Sequence, residues 1–300
     1  MNPTTIDLLN WIGGFFDGEG SFSFSQGSPS VVLVNTDPQA CFLVMNTMKT
    51  FGIDAKINER SKPGKSSKKK RWDVFINQAE ESFKFCELMK PYIRGKSKQL
   101  ELIQEYQNIR KSAQEFHRKM QFLNQSNNIL IIDKSKFLEK LGFDIQEWKY
   151  EIYDTNNDKL NQTDFSNTDY IAGLFDAEGC VNINMRKNKS CNTDRFIPQI
   201  MFTNTNKVII ENFYSAMKNN QIGCHITSRI PTERNRIRWD LIVSGLSRTK
   251  KVCDLLVDKS RIKNKQIELM LAYLNERLLD PKSINTTGYN VKMAIQSSRQ

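Results

Sequence analysis

The sequence predicts an α+β fold of two pseudo-twofold-related αββαββα repeats, each a four-stranded antiparallel sheet with helices on one face. Three observations predict it. The chain repeats itself: residues 11–20 (WIGGFFDGEG) return as residues 170–179 (YIAGLFDAEG), and Asn35-Thr36-Asp37 returns as Asn204-Thr205-Asn206. Arg71–Val74 returns as Arg238–Leu241, and Lys96–Leu102 as Lys263–Leu269. Four matches in one order mark a tandem duplication. Within each copy, stretches of strict polar/apolar alternation give sheets with one dry and one polar face. Finally, 300 residues, 39% of them apolar, exceed one compact domain but suffice for two cores.

Each element follows from local pattern. A leading helix (about 4–18 and 167–177) carries the repeated motif. Ser21, Ser23 and Ser25 then alternate with Phe22 and Phe24, and Asn182, Asn184 and Arg186 with Val181, Ile183 and Met185. A second strand (about 31–36; 199–205) leads into a helix (about 38–50; 206–219), where Ile209, Phe213 and Ala216 fall at helical spacing. Two more strands follow (about 54–60 and 71–77; 224–230 and 236–244). The closing helices start behind Ser97 and Asn264 as caps, and Ile267, Met270, Leu271, Leu274 and Leu278 trace one apolar face of the second. Residues 1–106 thus form the first repeat, 107–167 a connecting segment with helical stretches (107–124, 134–141) and a polar tether, and 168–300 the second repeat.

Composition narrows the function. Lys and Arg total 44 against 33 acids, a net charge of +11, which suits a polyanionic partner. No apolar run is long enough to span a bilayer, so no membrane role is expected. The start lacks a secretory or transit signal, and the six cysteines, with no CxxC pair, read as buried thiols of an intracellular protein. Only His117 and His225 are present, which leaves oxygen as the ligand for any metal.

The leading helices concentrate the chemistry. Gly14 and Gly18, and Gly173 and Ala177, are small residues four apart, which let two helices meet backbone to backbone; the partner of each helix is its counterpart in the other copy. Asp17 and Glu19, Asp176 and Glu178 then crowd at helix C-termini, where the dipole disfavours anions. A divalent cation would cancel both penalties, and few hard oxygen ligands with room for water and phosphate describe magnesium. One Asp-x-Glu-Gly alone reads equally as a helix stop with solvated acids. Two in register, each feeding a strand with a polar face in a basic chain, favour the cation.

These motifs, at Ile12–Gly20 and Ile171–Gly179, resemble the LAGLIDADG motif, and the chain resembles the monomeric two-repeat LAGLIDADG homing endonucleases over about four-fifths of its length. The resemblance implies that Glu19 and Glu178, with the backbone of Gly18 and Ala177, bind two or three Mg²⁺ (or Mn²⁺) ions shared with DNA phosphates. It implies that Lys96 and Lys263, on the loop before each closing helix, assist at the scissile phosphates. It also implies that the sheets lie in the DNA major groove and that each site cuts one strand, leaving short 3′ overhangs. Gln and Arg, which some members carry after the second strand, are replaced here by Thr36, Ala40, Thr205 and Ile209, which leaves the outer water-ordering residues unassigned.

The polar sheet faces become the DNA-reading candidates: Ser21, Ser23, Ser25 and Gln26 against Asn182, Asn184, Arg186 and Asn188, residue types that bond base edges. Arg71, Asp73, Arg238 and Asp240 share that side, where mutual salt bridging is the alternative; Lys56, Asn58, Arg60, Gln199, Thr203, Thr227 and Arg229 extend it. Trp72 and Trp239 face the core. Residues 60–71 hold seven basic residues and no acid; Lys68 and Lys70 there, and Arg234 and Arg236 in the matching loop, would grip phosphates. Strands of about ten residues follow roughly ten base pairs per half, giving an asymmetric target of about 20. The partner is double-stranded DNA; an intron maturase acting on intron RNA is the competing reading. The Lys/Asn-rich composition suggests an organellar gene, in a mitochondrion or chloroplast.

Overall fold

The structure, a computed structural model, describes residues 1–25, 28–60, 70–124, 166–188, 193–229, 237–279 and 286–298. The first repeat runs α1 (Pro3–Glu19), β1 (Gly20–Ser25), β2 (Ser28–Asn35), α2 (Pro38–Thr50), β3 (Lys56–Arg60), β4 (Arg71–Ile76), α3 (Ala79–Met89) and α4 (Ser97–Asn124). The second runs α5 (Thr168–Glu178), β5 (Gly179–Asn188), β6 (Thr193–Asn204), α6 (Lys207–Asn219), β7 (His225–Arg229), β8 (Arg238–Ser244), α7 (Leu246–Leu256), α8 (Asn264–Leu279) and α9 (Thr286–Ser297). Each repeat forms an antiparallel four-stranded sheet, ordered β1-β2-β4-β3 and β5-β6-β8-β7. Two helices follow each second hairpin, within the one or two that the pattern allows, and α9 adds a further helix that the pattern did not announce. No described helix is long and apolar enough to cross a membrane.

Contacts divide the chain into two compact units that cross the repeat boundary. One contains Met1–Glu19, Tyr92–Gly95 and the described residues of 159–300; the other contains Gly20–Pro91 and those of 96–158. In the latter, Phe22, Val31, Leu33, Val74 and Ile76 form the dry sheet face and pack with Val44, Met48, Phe83 and Phe85, all buried. Asp37 accepts from Ala40 N (3.0 Å) to cap α2, and Pro38 begins it. The helix α4 runs unbroken through residue 106, so residues 107–124 continue the first repeat's closing helix. The 134–141 stretch and most of the tether lie outside the described residues.

In the other unit Val181, Ile183, Ile200, Phe202, Leu241 and Val243 form the core face. Phe202 lies between Phe175 and Phe213, with ring centroids 5.2 and 4.3 Å away. Ile209, Phe213 and Ala216 are buried as their spacing predicts, but on α8 Tyr273 is buried and Leu278 exposed, because the apolar stripe ends one turn earlier. Asn167 and Asn206 cap α5 and α6. The repeated Asn-Thr-Asp/Asn signature has a local cause: Asn35 Oδ1 accepts from Asp37 N and Asn204 Oδ1 from Asn206 N, each at 2.8 Å, and the turn ends the strand and opens the helix. Trp72 and Trp239 lie on the core side but only half-buried at its margin, Trp72 against Phe42 and Trp239 under the Lys207 ammonium. Cys41, Cys86 and Cys253 are buried thiols, whereas Cys180 and Cys224 are partly exposed; Cys191 lies outside the described residues.

Candidate active site and nucleic-acid interface

The helices α1 and α5 touch backbone to backbone. A Cβ on Gly14 would overlap the Tyr170 carbonyl oxygen, one on Gly173 the Trp11 carbonyl oxygen, and one on Gly18 the Ala177 side chain. The small residues therefore do what their spacing implies, at a helix-propensity cost of about 1 kcal/mol per glycine, and they bring Glu19 and Glu178 to the paired C-terminal ends.

The two acids of each motif separate in role. Asp17 and Asp176 are 2% exposed, and each accepts hydrogen bonds from protein donors. Asp17 Oδ2 accepts from Arg94 N (2.8 Å), Gly95 N (2.7 Å) and the Tyr170 hydroxyl (2.7 Å). Asp176 accepts from Trp11 Nε1 (2.9 Å), Ser260 Oγ (2.5 Å), Arg261 N (2.7 Å), Ile262 N (3.2 Å) and Lys263 N (3.0 Å). Counting both aspartates among the acids that a cation must neutralise is thus corrected: each ties down the loop preceding a closing helix, with an aromatic donor from the other copy. Burial, then Asp17, raises the Tyr170 phenol well above its ordinary value. The signal was in the sequence, since Trp11 and Tyr170 each stand six residues before an Asp and each carries a polar tip.

Glu19 and Glu178 end their helices half-buried. Asn204 Nδ2 donates to Glu178 Oε1 at 3.3 Å, an orienting contact that the sequence did not mark. Lys263 lies over the end of α5, its ammonium donating to the carbonyls of Phe175 (2.9 Å), Asp176 (2.5 Å) and Ala177 (3.5 Å). Desolvation lowers its pKa, opposed by the charges of Asp176, Glu19, Cys180 and Glu178. Lys96 and Lys263, rather than Ser97 and Asn264, take the cap position, their carbonyls accepting from Leu100 N and Ile267 N. Lys98 and Lys265 are exposed. The described residues hold no group of three or more His, Cys, Asp or Glu suited to a metal. Two glutamates with the Gly18 and Ala177 carbonyls still make a hard-oxygen set that suits Mg²⁺ once phosphate and water complete it.

Register places the reading candidates. Ser21 pairs with Val32, Ser23 with Ser30 and Asn58 with Asp73; Asn182 pairs with Gln199, and Thr203 and Thr227 with Asp240. Ser21 and Arg186 are exposed, and Asn182, Asn184 and Gln199 half-exposed and linked, with Asn182 donating to Asn184 (2.8 Å) and Asn184 to Gln199 (2.5 Å). Ser25 pairs with Ser28 and Asn188 with Thr193 in the backbone register. Lys56 bonds Asp54 (3.4 Å) and Lys70 bonds Glu59 (2.8 Å), both from exposed positions. Asp73 and Asp240 lie on the expected side but are buried, 6% and 0% exposed, with their carboxylates turned to Arg60 and Arg229. They hold arginines instead of standing open to a ligand. Gln26, Lys68, Arg234 and Arg236 lie outside the described residues.

Residues 7–90 and 166–254 each match the LAGLIDADG-like domain. The chain belongs to the LAGLIDADG family. No curated protein matches it in sequence. Among solved structures it is similar to the I-LtrWI LAGLIDADG homing endonuclease bound to target DNA, with 15% identity, 98% of this chain and 97% of that one covered, and a TM-score of 0.64. The meganuclease I-AabMI bound to uncleaved DNA shares 17% identity, with 97% of both chains covered and a TM-score of 0.59. I-SmaMI bound to uncleaved DNA in the presence of calcium ions shares 16%, with 96% of this chain and 97% of that one covered and a TM-score of 0.62. At these identities the likeness is one of fold, here the LAGLIDADG fold over the whole chain.

Within that family frame, the positions left open by the sequence acquire a role. Ala40 and Ile209 are 4% and 3% exposed and belong to the core, so neither can order water; Asn204 is a polar group that does reach Glu178.

Proposed function

We propose that the chain is a metal-dependent, site-specific homing endonuclease that makes a staggered double-strand cut with short 3′ overhangs in an asymmetric DNA target of about 20 base pairs. The observation that supports this most is the pair of helix ends: Glu19 and Glu178 are brought together where Gly18 meets Ala177, with Lys263 over one end. Glu19, Glu178 and the Gly18 and Ala177 carbonyls would hold Mg²⁺ or Mn²⁺. When bound, the metal would supply charge neutralisation on the phosphate and an activated water. Lys263, beside Glu178 and carrying a lowered pKa, holds a proton and a positive charge where negative charge would develop on a phosphoryl group. Lys96 is its counterpart in the sequence of the first repeat. Asp176 fixes the Lys263 backbone, so that position is set before substrate arrives. Binding by a single chain suits an asymmetric site, because the two reading faces differ in sequence. An organellar, intron-encoded origin accords with the composition.

Exchange of Glu19 and Glu178 together for Gln tests the proposal. DNA binding should persist and cleavage vanish, while either single exchange should yield nicked product. Double-strand cutting that survives the double exchange would overturn the catalytic assignment. Splicing activity that survives it, with no cutting of any candidate insertion locus by the natural chain, would favour the maturase reading.

A further inference from the structure

The first hairpin of the second repeat outruns its sheet. β6 has 12 residues, but only Gln199–Asn204 pair with β8. Among strands, Thr193–Pro198 pair with β5 alone, opposite Ile183–Asn188. In the first repeat only Ser28–Ser30 of β2 lie beyond the pairing with β4. A two-stranded ribbon is marginal in water and becomes stable when it packs against a helix. The helix α9, which has no counterpart among the described residues of the first repeat, supplies that packing: it lies on α8 and on β5. Register sets Met185 opposite Phe196 on the dry side of the ribbon. Met185 is 45% exposed, yet Phe196 is only 7% exposed. Gly288 of α9 stands so near that an added Cβ would lie 2.7 Å from the Phe196 ring. From α8 the buried Tyr273 hydroxyl donates to the Phe196 carbonyl at 3.5 Å. Ile295, two turns after Gly288, is 1% exposed, so one face of α9 is buried from end to end.

The polar side of the ribbon gives this support a purpose. Arg186 and Arg195 stand directly opposite one another there, both exposed. Like charges paired across strands repel, which loosens a ribbon that nothing else holds. β5 leaves the motif at Gly179, so Arg186 stands about 25 Å along the strand from Glu178. The ribbon is thus the part of the sheet farthest from the paired glutamates. Polar groups on a loose ribbon would lose affinity and discrimination to their own ordering; on a braced one they meet a duplex already in place.

We infer that α9 is a brace for this ribbon, and that Gly288 and Phe196 are positioning residues which set discrimination at the outer base pairs of one half-site without touching DNA. The inference rests on the proposed reading as a DNA-binding enzyme. It makes recognition by the second repeat depend on the last helix described in the chain, while the shorter first hairpin works without one.

Two measurements on the full chain test it, each comparing the natural protein with Gly288→Leu, Phe196→Ala and Phe196→Leu. The first is amide hydrogen exchange without DNA. Gly288→Leu lifts α9 from the ring and Phe196→Ala removes the ring, so residues 183–188 and 193–198 should exchange roughly tenfold faster in both, with the rest of the sheet unchanged; Phe196→Leu keeps an apolar contact and should resemble the natural chain. The second is selection of bound duplexes from a randomised DNA library in Ca²⁺. Gly288→Leu and Phe196→Ala should lower discrimination at the outermost base pairs of one half-site by roughly fivefold or more, leave the inner pairs and the other half-site alone, and still cut the natural target at the same bonds in Mg²⁺. Unchanged exchange in both variants overturns the brace. Faster exchange with discrimination intact, or relaxation spread evenly over both half-sites, overturns the positioning role. A natural chain that selects no sequence sinks the DNA-binding reading, and the positioning role with it, whatever the exchange shows.

Discussion

The two copies of the motif hold their loops with unequal grips. Asp176 gathers five donors around the loop before α8, whereas the hydrogen bonds to Asp17 Oδ2 come from Arg94, Gly95 and Tyr170. The first hairpins of the two repeats differ as well: β1 and β2 have 6 and 8 residues, β5 and β6 have 10 and 12. Helix contact, buried aspartate and crossed aromatic donor are alike in both copies, while strand length and polar side chains differ. The shared features hold backbone in place; the divergent ones lie on the faces offered to a partner.

Breaking the aspartates should expose the inequality most. Asp176→Ala orphans several buried donors and should cost about 3–5 kcal/mol; Asp17→Ala should cost less, about 2–3 kcal/mol, both read by urea unfolding of the full chain. Next in size, Gly173→Ala drives a Cβ into the Trp11 backbone and should cost about 1–3 kcal/mol by overpacking, with Gly14→Ala similar, since the two contacts are reciprocal. The aromatic donors sharpen the comparison. Trp11→Phe should cost about 1 kcal/mol, because Asp176 keeps its other donors, and Tyr170→Phe about 2 kcal/mol, measured in the same way.

The smallest effect is one of pH. Because the Tyr170 phenol is raised well above its ordinary value, the unfolded chain loses that proton first, so stability should fall as pH climbs past about 10. In Tyr170→Phe that part of the alkaline decline should be missing, and an unaltered slope would show that the phenol does not ionise differently in the two states.

Much of this was legible because the repeat supplied an internal control. The helix contact could be read from Gly14, Gly18, Gly173 and Ala177, since only small residues tolerate it, and the sheet faces from alternation around Phe22 and Val181. What could not be read depends on contacts distant in sequence. Asp17 and Glu19 look alike along the chain, yet one turns toward Tyr170, 153 residues away, and the other does not. The lysines' cap positions were misplaced for a related reason: Ser97 and Asn264 are good caps by type, but the loops held by the aspartates set where each helix begins. Leu278 fits the helical period and is nevertheless exposed, because periodicity records a face and not where its cover ends.

The unit that contains α1 also contains the second repeat, and this bears on how the chain is made. The helix α1 finds its backbone partner only after some 150 more residues have been synthesised, since Tyr170 and Asp176 are its ligands. Until then its glycine-lined surface has nothing to rest on, and long-range closure of this kind is slow. A nascent chain interrupted between the repeats therefore carries an unfinished first half, and the opening helix is completed among the last.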